Sequence, residues 1–411
     1  MALLSATLPL DVSDAHVDRV SASAQRIPEL DGLRGVAISM VVVYHAFLFH
    51  FAPPAKSLLS YLLLPARIGW SGVDLFFVLS GFLIGGILLD ARDSRNYFRT
   101  FYIRRFFRIV PIYYATLLLL FVLSAWSRIH PGVHPAWSAD NHLPWYLFAL
   151  FLQNIWMAAT SSMGSGLLAA FWSLAVEEQF YLTLPWIIRF FNRQRVLVIA
   201  IEAIVLAPVL RIACSAFWPN HPLSWFVLMP CRADALFYGV VGAIALRDAL
   251  CKAWIASHRV LLRALLVLFA LGLPFVTQTN LTANGLLMIS VMMSWLAAFY
   301  LLVLVYALSF ADSFAGSCLR WRWLRWLGSI AYGTYLLHEV VLWSALDFFG
   351  GPGPAASFAR KCAVSAFAVA ATLLVASLSW KYFEKPLVAR GHRLVYDPPE
   401  GLATRNLVRP N

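Results

Sequence analysis

Apolar residues along this chain come in runs of nearly twenty with few polar interruptions, as in Leu33 to Phe51 and Val260 to Val276. At ~1.5 Å of rise per residue, such a run crosses the ~30 Å of bilayer hydrocarbon as a helix. The period-two alternation of a membrane barrel is missing, and a helix satisfies its own backbone where lipid offers no partner. The pattern predicts an all-α, polytopic integral membrane protein. Its ten or so transmembrane helices fall near 33–51, 70–90, 109–126, 171–191, 196–213, 225–247, 260–276, 284–308, 326–348 and 358–380. Trp145 to Ala159 is apolar yet short for a crossing, and is expected to be interfacial or re-entrant on the outer side.

Composition agrees with this. Hydrophobic residues fill 61% of the 411 positions and charged residues 13%, which excludes an ordinary soluble domain. The net charge of +12 raises nucleic acid as a partner, but the basic residues follow topology instead. With the N-terminus inside, the cytoplasmic connections hold the cluster from Arg92 to Arg108, then Arg193 and Arg195, then Arg247, Lys252 and Arg259, then Arg320, Arg322 and Arg325. The opposite connections hold Lys56, Arg67 and Arg128, with Arg360 and Lys361 at the start of the last span. This asymmetry places both termini in the cytoplasm and implies no nucleic-acid partner. Residues 1–26 lack the features of a signal peptide and are expected to form a mobile cytoplasmic tail, with a second tail over 387–411. Five scattered cysteines without a C-x-x-C pair predict neither a metal site nor a disulfide framework.

Ionisable residues at membrane depth are costly and are functional candidates. Arg34 and His45 stand eleven residues apart, about 1100° of helix, so both face one side of their span about 16 Å apart. Counted from the outer surface, His45 lies about 9 Å deep, Asp74 about 6 Å, Glu177 and Glu178 about 9–10 Å, Asp234 about 13 Å, and His338 with Glu339 about 14 Å. Groups from five spans in one slab are expected to converge on a polar cavity, although interhelical ion pairing is the plainer role for Asp74, Asp234 and Glu339 individually. A carboxylate beside His45 equips the imidazole as a general base for an alcohol. Glu177 or Glu178 is expected to serve, though the two diverge by about 100° on a helix. Gln153 and Asn154 are candidates for further hydrogen bonds near the outer mouth.

The segment YFRTFYIRRFFRIVP interleaves Arg99, Arg104, Arg105 and Arg108 with aromatic rings. A basic cluster at an inner surface commonly reports topology or anionic lipid. Guanidinium forks beside flat apolar rings also suit a polyphosphorylated nucleotide such as coenzyme A.

The chain resembles the acyltransferase 3 family of bacterial membrane proteins through motifs in order from residue 27 to 386. They are IPELDGLRGVAI with the Arg34-x10-His45 spacing, GWSGVDLFFVLSGFLI, FYIRRFFRIVPIYY, FWSLAVEEQFYL, RADALFYGVVGA with Arg232, LGSIAYGTYLLHE, and YFEKP. The resemblance implies a ten-helix domain over 27–386 in the bacterial inner membrane that O-acylates envelope carbohydrates such as lipopolysaccharide or exopolysaccharide. It also implies essential roles for Arg34 and His45, and an acyl-donor role for Arg105 and Arg108.

The expected chemistry is acyl transfer from cytoplasmic acyl-CoA, with acetyl-CoA the leading co-substrate, to an outward-facing hydroxyl, with no permanently bound cofactor. His45 acts as base, or as nucleophile through an acyl-His45 intermediate. The alternative is a proton-coupled secondary transporter, since such proteins also bury His, Glu and Arg. A lipid-linked glycosyltransferase is disfavoured because no acidic outer-loop motif for a metal and diphosphate is found.

Overall fold

The structure, a computed structural model, describes residues 27–49, 61, 63, 65–130, 144–278, 291–349 and 357–397. The expected N-terminal tail and the start of the eighth predicted span, 284–290, lie outside the described residues.

Helices occupy all ten predicted segments, and no strand occurs among the described residues. Helix α1, Pro28–Tyr44, runs into a π-helical turn, His45–Phe49. A 3₁₀ stretch, Pro65–Ser71, leads into α2, Gly72–Asp90, followed by α3, Tyr97–Ile129. Two short helices, α4 (Trp145–Ala149) and α5 (Gln153–Thr160), precede α6, Phe171–Phe190, and α7, Arg193–Phe217. Next come α8 (Ser224–Val227), α9 (Met229–Ala245), α10 (Ala249–Ser257), α11 (Arg259–Gln278) and α12 (Met293–Ser309). The chain closes through α13 (Phe314–Leu319), α14 (Arg322–Phe348), α15 (Phe358–Ser379) and α16 (Lys385–His392).

Six described stretches are long and apolar enough to cross a membrane, and α10 with α11, bent by 78°, makes a seventh if counted as one span. That is fewer than the ten crossings expected. Of the other three predicted spans, α12 is described only in part, since 284–290 lie outside the described residues, and α6 and α14 have a common physical explanation. Helices α6 and α14 carry Glu177, Glu178, His338 and Glu339, and those polar groups lower their mean hydropathy. Trp145 to Ala159 forms two helices too short to span, broken at Phe151, whose φ of 55° lies in the left-handed region.

Within the bundle α9 packs against α2 and α7, while α14 packs against α1 and α15. Backbones meet closely where side chains are absent, as at membrane helix crossings generally. A Cβ at Gly81 would run into Leu236 O of α9, and one at Gly328 would run into Asp31 O of α1. Gly81→Val is therefore expected to destabilise the bundle by at least ~1–3 kcal/mol, read as a lower melting midpoint in detergent. Gly85→Ala is the tolerated control, because its Cβ would meet Val240 Cγ2 at 3.4 Å, ordinary contact.

Helix α3 is 33 residues long, roughly 50 Å against ~30 Å of hydrocarbon. Its first turns carry Arg99 to Arg108 and bury Tyr97, Thr100 and Phe101 against the rest of the protein. There α16 lies against α3.

Candidate functional site

His45 stands at the end of α1, where the backbone changes from α to π geometry and its N–H is shared by Val41 O and Val42 O. Its ring Nδ1 lies 2.9 Å from Val41 O. A carbonyl only accepts, so Nδ1 carries the hydrogen and Nε2 faces the protein interior as the reactive nitrogen. Glu339 Oε1 lies 3.4 Å from that Nε2. The His338 ring packs edge-on against His45 at 5.1 Å between centroids, and its own Nδ1–H donates to Tyr335 O at 2.6 Å. Glu339 and His338 side chains are 4% and 3% exposed, whereas His45 is 20% exposed. The centre is thus a buried carboxylate and imidazole behind a more accessible imidazole.

This corrects the expectation that Glu177 or Glu178 orients His45. The carboxylate at His45 comes from Glu339 of α14. Glu177 instead accepts from Ser80 Oγ of α2 at 2.5 Å, and Tyr181 OH donates to the same Ser80 oxygen at 3.1 Å. The cations whose fields reach Glu177 are Arg108, Arg105 and Arg34; Glu178 feels Glu177 and Arg105. Tyr335, bonded to Ser173 at 2.6 Å, is within electrostatic reach of both Glu177 and Glu339. Tyr181, Ser80 and Glu177 thus form a hydrogen-bonded polar group between α2 and α6, separate from the histidine centre.

The remaining buried charges do not join one cavity, as the slab of equal depths suggested. Asp74 pairs with Arg232 at 2.6 Å, and Asp234 pairs with Arg211 at 2.9 Å while accepting from Ser294 Oγ at 2.6 Å. The Arg232 guanidinium is also enclosed by the rings of Phe77, Trp172 and Phe226 at 5.4–5.7 Å. These pairs tie α9 to α2, α7 and α12, which is a structural role. Gln153 and Asn154 are likewise fully buried stitches: Gln153 donates to Phe171 O at 2.8 Å, and Asn154 exchanges hydrogen bonds with Gln179. Gln179 Nε2 in turn holds the strained Phe151 carbonyl at 3.0 Å.

A cavity of about 1490 Å³ opens at the basic face, lined by Arg34, Arg92, Arg108, Arg193, Arg247, Lys252, Lys385 and His392, with Glu29, Asp31 and Asp90 among them. Several of its cations are already engaged: Arg247 forks onto Asp90 at 2.6–2.7 Å, and Arg34 lies 3.6 Å from Asp31. At the rim Asp248 caps α10, and the N–H groups of Cys251 and Leu250 with Arg193 hold its carboxyl below the usual carboxylate range. Arg108 lines this cavity and Arg105 lies beside it in the polar interior, near Tyr181 and Glu178. Arg104 does not belong with them. Its guanidinium is bonded to Leu394 O at 2.6–2.9 Å and stacks over Tyr396, fastening α3 to the segment after α16. Four-residue spacing put Arg104 and Arg108 on one face, but that face is wide enough for one to point to the cavity and the other to the chain terminus.

Sequence reasoning did not single out Arg211, Tyr335 or Glu384. Arg211 is a lone cation in the run IVLAPVLRIACS and fully buried, which was the available signal. Glu384, in the YFEKP motif, is 4% exposed and bonded to Ser379 at 2.9 Å, with Gly333 of α14 leaving room for its carboxylate.

A family profile described as an acyltransferase domain, acyltransferase 3, matches residues 27–381. A putative peptidoglycan O-acetyltransferase of Bacillus subtilis is 29% identical over 394 residues, covering 89% of this chain and 56% of that protein. The peptidoglycan O-acetyltransferase of Listeria monocytogenes is 26% identical over 411 residues, covering 90% of this chain and 57% of that protein. A putative O-acetyltransferase of Staphylococcus aureus is 31% identical over 173 residues, 39% of this chain and 24% of its own. The chain therefore spans little more than half the length of the first two relatives. No solved structure matches it.

Proposed function

The chain belongs to the acyltransferase 3 family, and from that premise we propose that it moves an acetyl group from cytoplasmic acyl-CoA to a hydroxyl of a cell-envelope carbohydrate, across a bacterial inner membrane. The observation that carries this reading is the placement of His45 and Arg34 on one helix, with Glu339 against the imidazole at one end and a basic cavity at the other. Names of relatives support the acetyl group and the carbohydrate. The cavity supports the donor, because clustered guanidinium groups bind phosphates through charge-assisted hydrogen bonds.

In this mechanism Arg108 and Arg34 hold donor phosphates while the thioester reaches inward. His45 Nε2 accepts the acceptor's hydroxyl proton as the oxygen attacks the thioester carbonyl. The C–S bond breaks, and the proton passes to the departing thiolate. The site fits the protonated imidazole formed midway, because Nδ1–H donates to Val41 O and Nε2–H then faces Glu339 Oε1. Glu339 is a positioning residue that replaces Glu177 in this role.

The test is transfer of labelled acetyl from acetyl-CoA to envelope glycan fragments by the full chain in nanodiscs. Solute movement without consumption of acetyl-CoA would favour the transporter reading instead. Within the assay, Arg108→Ala is expected to raise KM for acetyl-CoA about tenfold or more, corresponding to a lost charged hydrogen bond of ~1.5–3 kcal/mol, with a smaller change in kcat. Arg104→Ala should alter that KM far less, since its guanidinium serves Leu394. Equal effects of the two substitutions would contradict the assignment.

A further inference from the structure

We propose that His45, His338 and Glu339 form a binding site for a divalent transition-metal ion, zinc being the best match, whose occupancy silences His45. Among the described residues, one ligand atom from each of the three lies within 4.8 Å of the others. Both imidazoles use Nδ1–H to donate to backbone carbonyls, Val41 O at 2.9 Å and Tyr335 O at 2.6 Å. In their neutral forms both therefore turn an Nε2 lone pair toward the same carboxylate oxygen, at 3.4 and 3.8 Å. Three Lewis bases facing one another need a bridging cation, either a proton or a metal ion.

The spacing suits the metal. Donors bound to tetrahedral zinc at ~2.0–2.2 Å lie roughly 3.3–3.6 Å from one another; the two imidazole-to-carboxylate separations, 3.4 and 3.8 Å, are close to this, and all three donors lie within 4.8 Å of one another. Two imidazoles and a carboxylate are also a donor set for zinc or its neighbours in the first transition row. Metal-bound histidines almost always donate their other ring N–H to a carbonyl or carboxylate, which fixes tautomer and ring angle; both rings are already held this way. His338 Nε2 is buried and has no hydrogen-bond partner among the described residues. Metal binding displaces the proton from the cluster and occupies His45 Nε2, so it blocks proton uptake from the acceptor.

The silencing part rests on the catalytic reading of His45; the binding part does not. The full chain in detergent micelles is titrated with Co²⁺, whose visible absorption reports tetrahedral coordination. One equivalent should bind with that signature and be displaced by Zn²⁺, and the signature should be lost in His338→Ala and in His338→Gln, each checked for an unchanged melting midpoint. Absence of the signature, or its persistence in both variants, overturns the site. In the acetyl-transfer assay Zn²⁺ should inhibit at concentrations that displace Co²⁺, and His338→Gln should raise the half-inhibitory concentration at least tenfold; equal inhibition of the variant overturns the silencing. If instead His45→Ala leaves transfer intact, the catalytic reading fails while the Co²⁺ result continues to decide the metal site.

Discussion

Replacing His45 by alanine should lower acetyl transfer by about 10²- to 10⁴-fold, the contribution expected of a positioned proton acceptor. The fold should survive, because the side chain is 20% exposed and lies at the end of α1 instead of in its packed length. Glu339→Gln keeps the volume and removes the charge that faces an imidazolium, so a substantial loss is expected from it as well. The two residues act as one unit, and the double variant should therefore be little worse than His45→Ala alone. Glu177→Gln separates this assignment from the one drawn by depth along the chain, since Glu177 is bonded to Ser80. Initial rates at saturating acetyl-CoA, alongside the melting midpoint of each variant, measure all four. Retention of more than a tenth of the wild-type rate by a folded His45→Ala protein would remove the imidazole from the chemistry.

The largest effect on stability is expected from Arg232→Ala, about 3–5 kcal/mol, because it strands Asp74 as a buried charge without its partner. Arg232 and Asp74 are both 1% exposed and joined at 2.6 Å, and the guanidinium also fills a cage of three rings. The loss thus combines an unpaired carboxylate with a hole between α2 and α9. Replacing both partners with apolar residues of similar size, as in Arg232→Met with Asp74→Leu, should recover most of it, since the cost of a broken pair lies in the orphaned charge. Denaturation in mild detergent, followed by tryptophan fluorescence, supplies the comparison. If the single variant is destabilised by less than about 1 kcal/mol, the pair is not a structural tie.

Sequence alone located helices in all ten predicted segments, since apolar runs record where lipid or other helices must be faced. Arg34 and His45 were the easiest pair to read, because one follows the other along a single helical stretch, Pro28–Phe49. Partners from different helices were less legible. Depth below the surface can be counted along a chain, but the direction a helix face points cannot, so Glu177 and Glu339 were alike until α14 was seen against α1. The same missing angle grouped Asp74 and Asp234 with the histidine centre, whereas they pair with Arg232 and Arg211. The contact that engages Arg104 was hidden for a related reason: its partner, Leu394, is 290 residues away in sequence. The polar residues of α6 and α14 draw both helices below the hydropathy of a simple span, so an apolar-length criterion passes over two of the ten predicted segments.

If the reaction runs as proposed, helix α1 joins its anchoring end to its chemical end with one stiff rod. Arg34 and His45 lie about 16 Å apart along it, and no break lies between them in the helix Pro28–Tyr44. A thioester on a stem shorter than that distance would hang short of the imidazole however well its head group were held. On that reading the bundle would gauge a donor by reach as well as by charge.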